Sequence, residues 1–261
     1  MDCGLMRSSR LSSFEPCVPR PVSVVRCVRA NLQRRPGPEN PIPHMMPFRL
    51  ETSSRSPTIL FVGAHCDDIE IGCAGMVIRL VRQHPDARFV WVTLSGDAER
   101  EAETRAAAAQ LLAGARNVQI RVERYRASYF PHEGSALKDC FESLKAYSPD
   151  LVVTHCRHDL HQDHRITNEL TWNTFRDHAV LEYEIPKFDG DLGVPNVYVP
   201  LTRAELRRKC DILLECFPSQ HARSWFTRDT FEALARIRGI ECNAPEGVAE
   251  AFYGRKVLLQ P

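Results

Sequence analysis

Long apolar runs are missing from this 261-residue chain. No stretch approaches the roughly 18 residues that mark a transmembrane helix, and nothing near the start has the apolar h-region of a secretory signal. Charge of one sign is missing too: 34 Lys and Arg against 33 Asp and Glu leave a formal net charge of +1. That balance argues against a generally basic nucleic-acid binder and leaves only a local patch open. Ten cysteines are present, yet no two form a Cys-x-x-Cys pair. A structural zinc ribbon is thereby disfavoured, and this many thiols over this length do not make a disulfide scaffold. The expectation is reduced thiols in a cytoplasmic protein, with Cys73, Cys140, Cys210 and Cys216 lying in helical patterns as small core residues. Hydrophobic residues at 43% and charged residues at 26% are ordinary for a globular protein. The length allows one large domain or two small ones.

The first 50 residues differ from the rest. They carry Arg7, Arg10, Arg20, Arg26, Arg29, Arg34 and Arg35, many prolines and few acids. We expect a disordered or mis-started Arg/Pro-rich leader over 1–50, with Met45 or Met46 as an alternative beginning, ahead of an organelle-targeting role. The chemistry is expected in a domain over 51–261.

From Ser56 onward apolar runs alternate with helical periodicity. Strands are predicted at 58–64, 88–94, 118–122, 150–154, 180–185, 196–201 and 252–259. Helices are predicted at 72–83, 97–112, 135–147, 164–176, 202–217 and 228–238, with Thr202 as an N-cap and Gly239 ending the last. The 97–112 helix has Glu/Arg pairs outside and an Ala-rich stretch for close packing. This alternation predicts an α/β fold with a right-handed, mostly parallel sheet. No internal repeat interrupts it.

Polar clusters follow the first and fourth strands, where open α/β sheets bind ligands. The first is Ala64-His65-Cys66-Asp67-Asp68. Its spacing lets His65 and Asp68 fold onto one divalent ion, a donor pair that suits zinc and tolerates iron, manganese or cobalt. Asp67 is then free to take a proton from water as general base. The competing reading is that the adjacent acids cap the following helix. The second cluster is His158-Asp159-Leu160-His161-Gln162-Asp163-His164. One of its histidines supplies a third ligand and another stabilises an oxyanion or protonates a leaving group. Asp163 is placed to hold an imidazole in the required tautomer. His155 and His158 are read as ordinary core or surface residues.

A metallo-β-lactamase-type site, His-x-His-x-Asp-His, fits less well: its first position is Asp159 here, and it leaves His65, Asp67 and Asp68 unexplained. The paired motifs Ala-His-x-Asp-Asp-Ile-Glu-Ile-Gly and His-Asp-x-His-x-Asp-His-Arg instead resemble the LmbE-like (PIG-L) metal-dependent N-deacetylases, over about Pro57 to Leu259. Arg100-Glu101-Ala102-Glu103, Lys209, Ser219-Gln220 and Ala249-Glu250-Ala251-Phe252 resemble smaller family features. The resemblance implies a Rossmann-like sheet flanked by helices. It implies His65, Asp68 and His164 as ligands of Zn2+ (or Fe2+, Mn2+ or Co2+) and Asp67 as general base. It further implies His161 as oxyanion donor, Asp163 as its partner, and Arg100 as a contact to substrate hydroxyls. The implied activity is removal of an N-acetyl group from a small-molecule N-acetylglucosamine-type conjugate. Loops 126–134 and 188–194 are candidates to read the aglycone. Family members usually have Pro where this chain has Cys66; a neutral substitution is the first reading, ahead of a fourth ligand or an oxidation-sensitive spot. A non-catalytic metal- or sugar-binding protein is the alternative, disfavoured by the retention of Asp67 and His161. The partners expected are therefore a small N-acetylated sugar conjugate and no nucleic acid or membrane span, with a homo-oligomer left open.

Overall fold

Continuous Val/Ile/Leu/Phe runs suit strands buried on both faces, and such strands form the centre of the molecule. The computed structural model describes residues 56–257. The predicted leader over 1–50, its boundary at 51 and the end of the predicted last strand lie outside the described residues. The chain runs β1 (Thr58–His65), α1 (Asp68–Gln83), β2 (Arg88–Ser95), α2 (Ala98–Leu111), β3 (Asn117–Val122), α3 (Gly134–Leu144) and β4 (Leu151–His155). It continues through α4 (Gln162–Thr174), β5 (Ala179–Tyr183), β6 (Val197–Pro200), α5 (Arg203–Cys216), α6 (Arg228–Glu241) and β7 (Ala249–Gly254).

The seven strands make one sheet in the order β3-β2-β1-β4-β5-β7-β6. The first five in that order run parallel, and β7 then pairs antiparallel with both β5 and β6. Alternate residues of β1 serve opposite layers. Ile59 and Phe61 pack with α1, α2, α5 and α6, while Leu60 and Val62 pack with α3 and α4. Winding reverses between β1 and β4, which leaves a crevice at their carboxyl ends. His65 ends β1 and His155 ends β4, so both border it.

Three elements differ from expectation. Helix α1 starts at Asp68, four residues before the predicted Gly72, because its first turn is rich in buried carboxylates that disguise it. Helix α6 runs through Gly239 to Glu241. Gly239 serves contact instead of termination: a Cβ there would lie 2.3 Å from the Gly247 backbone. The last strand begins at Ala249, not Phe252, since the buried Glu250 hides its apolar register. Thr202 does cap α5, in a full capping box with Glu205. Cys73, Cys140, Cys210 and Cys216 are all buried free thiols.

Candidate metal centre

The loop after β1 is short and forced. Asp67 sits at φ 121°, a region L-residues avoid, and makes no side-chain cap bond to α1. The simple capping account of the paired acids therefore fails for Asp67. Asp68 folds back instead: its Oδ2 accepts the His65 backbone N–H at 2.7 Å. That turn brings Asp68 Oδ2 to 3.3 Å from His65 Nδ1. From the other strand end, His164 on the first turn of α4 reaches the same point. Its Nε2 lies 3.2 Å from His65 Nδ1 and 3.5 Å from Asp68 Oδ1.

These spacings bear directly on metal binding. Ligands about 2.0–2.2 Å from a tetrahedral zinc stand about 3.3–3.6 Å from one another. The far nitrogens of both imidazoles are tied to carboxylates. His65 Nε2 lies 3.0 Å from Asp163 Oδ2, and His164 Nδ1 lies 2.8 Å from Asp159 Oδ2. With N–H donated to the carboxylate, each ring points its free lone pair at Asp68, the arrangement that holds metal-bound histidines. The donor set fits a divalent cation.

The electrostatics agree. Burial pushes the His164 pKa down to about 4, helped by the neighbouring His155 and opposed by Asp68 and Asp159, so its imidazole is neutral. Burial works against a charged His65, but Asp68 and Asp163 outweigh it and raise its pKa to about 10. The carboxylates thus favour positive charge at that nitrogen, which a proton or a metal ion supplies. Burial also opposes ionisation of Asp68, yet His164, His155 and His65 hold it well below the usual carboxylate range. Asp67 moves the other way: burial raises it to about 7, against the pull of Arg100.

Arg100 sits beside that carboxylate, with one nitrogen 3.0 Å from Asp67 Oδ2. Its other donors reach Glu103 at 2.8 Å and Ser219 Oγ at 2.9 Å. His161 is the N-cap of α4 and its Nδ1 accepts the Asp163 backbone N–H at 3.2 Å, which leaves Nε2 as the protonated nitrogen. Its ring centroid is 4.9 Å from that of His65 and 4.6 Å from that of His164. His161 is also near enough to join His65 and His164 around one ion. The Asp163 carboxylate holds His65 and accepts the N–H groups of Ser128 and Phe130. With His161 it shares only that main-chain bond, a different partnership from the one expected.

Sequence reasoning missed Asp159 and His155. Asp159 orients His164 and accepts the His161 N–H at 2.8 Å. Its own charge is balanced by Lys187 at 3.1 Å. His155 stacks on His164 at 3.9 Å and lies 3.1 Å from Asp68 Oδ2. Its Nε2 accepts the Ala64 N–H, so that lone pair is in use while the bond lasts. The signal was available: His155 ends its strand as His65 ends β1. His158 is exposed, as expected. Cys66 faces away from the ion position, with Sγ 3.5 Å from the Ser95 carbonyl. Burial pushes its thiol up to about 12. A surface cavity of about 750 Å³ lined by Lys145, Asn173, Arg176 and His178 lies at the amino ends of β4 and β5, away from all these groups.

Residues 60–175, which hold both clusters, match the profile of the family described as PIG-L, GlcNAc-PI de-N-acetylase. No curated protein matches the chain in sequence. Solved structures share the fold. The N,N'-diacetylchitobiose deacetylase from Pyrococcus horikoshii is 18% identical with a TM-score of 0.58, covering 77% of this chain and 84% of its own. GalB, the 4-carboxy-2-hydroxymuconate hydratase from Pseudomonas putida KT2440, is 15% identical with a TM-score of 0.63, covering 78% and 98%. A zinc-inhibited form of the teicoplanin deacetylase Orf2 is 15% identical with a TM-score of 0.59, covering 76% and 97%.

Proposed function

We propose, for a chain whose residues 60–175 match the PIG-L family profile, that this site removes an N-acetyl group from an N-acetylglucosamine-type sugar conjugate with a divalent metal, zinc first among the candidates. The observation that carries the reading is the pair of imidazoles, each aimed at Asp68 and each backed by a carboxylate. The family description and the deacetylases among the structural neighbours supply the substrate class. No helix of the described residues is long and apolar enough to cross a membrane.

His65, Asp68 and His164 would hold the metal. When bound, it would supply a water acidic enough to ionise near neutral pH. Asp67, with its pKa raised by burial to about 7, takes the proton as water attacks the acetamide carbon. His161 offers its Nε2 proton to the developing oxyanion. The amine leaves only once protonated, and Asp67 returns the proton it took. Arg100 holds the Asp67 carboxylate in place, and it is the residue we assign to a contact with a sugar hydroxyl.

The test combines elemental analysis for bound metal with acetate release from a panel of N-acetylated sugars. Bound zinc with release of acetate and a free amine is the expected result. His164→Ala should abolish metal binding. Metal content unchanged in that variant, or bound metal with no turnover across the panel, would refute the assignment, the latter in favour of a binding protein.

A further inference from the structure

Helix α1 is two helices. Cys73 lies at φ −147°, ψ 19°, outside helical space, and divides the run. A break of this kind strips helical partners from carbonyls before it and N–H groups after it. Two distant side chains replace them. Lys209 Nζ on α5 donates to the Ile71 carbonyl at 2.6 Å. Glu250 on β7 accepts the Gly75 N–H at Oε1, 2.8 Å, and the Met76 N–H at Oε2, 2.7 Å. Lys209 and Glu250 are themselves paired at 2.7 Å, with side chains only 8% and 4% exposed.

The piece ahead of the break is a single turn, and it begins at Asp68 directly after the strained Asp67. It is pressed against Tyr183: a Cβ on Gly72 would lie 2.3 Å from that ring. The Tyr183 hydroxyl is bonded to the Val62 carbonyl at 2.9 Å, so the ring is a fixed stop. One side of the turn is thus blocked by Tyr183, and its trailing end is held by Lys209.

A buried ion pair is a poor adhesive, because apolar residues of similar size usually serve stability as well. Leu206, Cys210, Ala249 and Ala251 beside this pair are apolar and buried, and the charged pair that shares its surroundings, Glu184 with Arg238, is already matched. What an ion pair adds is direction, and here its charged atoms are aimed at main-chain groups on both sides of the break. We propose that Lys209 and Glu250 are positioning residues that set the rotation and depth of the turn 67–72, and so the aim of the Asp68 oxygens and the Asp67 carboxylate. The inference rests on Asp68 being a metal ligand.

The experiment uses the full chain and Co2+ as the probe, read by titration and by the visible absorption of the bound ion. The double variant Lys209→Met/Glu250→Gln removes both charges together and keeps the volume. We expect helical content to be retained, Co2+ affinity to fall about tenfold or more, as for other groups that orient ligands, and the absorption envelope to change. Glu250→Gln alone keeps one acceptor oxygen and should give a smaller effect in the same direction, which covers failure of the double variant to fold. Arg79→Met is the control. Arg79 pairs with Glu205 at 3.1 Å and ties the second piece of α1 to α5. It should lower the melting temperature and leave Co2+ affinity and spectrum unchanged. Wild-type affinity and spectrum in the Lys209/Glu250 variants would overturn the proposal, as would the same loss in Arg79→Met. A wild-type chain that binds no Co2+ would overturn the metal reading with it.

Discussion

Replacing Asp159 by Asn changes one atom and should disarm the proposed metal ligand His164, one hydrogen bond away. Asp159 is fully engaged: Oδ2 faces His164 Nδ1 at 2.8 Å and Lys187 Nζ at 3.1 Å, and Oδ1 accepts the His161 N–H at 2.8 Å. Asparagine has one acceptor oxygen. If it stays on the His161 N–H, the amide NH2 confronts two donors, the Lys187 ammonium and the His164 Nδ1–H. His164 escapes by moving its proton to Nε2, the nitrogen that faces Asp68 at 3.5 Å. That proton occupies the lone pair a metal needs. If the amide turns over instead, the start of α4 loses an acceptor for the His161 N–H. Loss of such a partner costs about 10–100-fold in metal affinity, or about 1.4–2.7 kcal/mol. Competition for zinc against a chromophoric chelator measures it. Deacetylation should fall at limiting zinc and recover in part at saturating zinc. Zinc affinity within about twofold of the wild type would show that His164 does not bind through Nε2, and the proposed ligand set would fail.

Other outcomes follow from single contacts. His161→Ala should keep its zinc by elemental analysis and lose about a hundredfold in acetate release, the usual effect of removing one oxyanion donor; loss of zinc would make His161 a ligand. Gly72→Ala must displace the anchored Tyr183 ring, 2.3 Å from the new Cβ. It should destabilise by about 1–3 kcal/mol, read as a fall of several degrees in Tm, and an unchanged Tm would show that the ring can move. Cys66, buried and with its thiol pushed up to about 12, should resist iodoacetamide at pH 8 until the protein is unfolded; peptide mass spectrometry showing rapid native labelling would contradict that burial.

The central parallel strands were legible because burial on both faces writes them as unbroken apolar runs, as in Ile59 to Val62. That His65, Asp68 and His164 could meet was legible because strand ends fix where their backbone goes. Elements whose polar residues are buried by pairing were not. Glu250 breaks the apolar register of β7, and Asp67, Asp68 and Glu70 obscure the first turn of α1. Partnerships were harder still. Asp163 and His161 are near neighbours in sequence, yet the Asp163 carboxylate turns toward His65, 98 residues away. Spacing says which residues can meet; it does not say which way a carboxylate turns on the first turn of a helix. Asp159 went unassigned for the same reason.

The fold alone leaves the reaction open, since it is shared with deacetylases and with a hydratase. Activating a water is common to both chemistries, so the metal ligands do not separate them. Amide hydrolysis has a further demand: the departing amine must receive a proton that the attacking water gave up. A carboxylate in water, with a pKa near 4, is a poor carrier for that proton. Asp67 is a better one because burial lifts it to about 7, where accepting and returning a proton are nearly balanced. Arg100 and the strained backbone at φ 121° hold it in that buried position. His161 is kept uncharged by burial and by His65, so it can serve as a fixed donor without competing for the same proton. In the proposed reaction, the division of labour between a proton carrier and a separate oxyanion donor is what would suit this site to amide cleavage. It lies in residues 67, 100 and 161, and the sheet beneath them only brings them together.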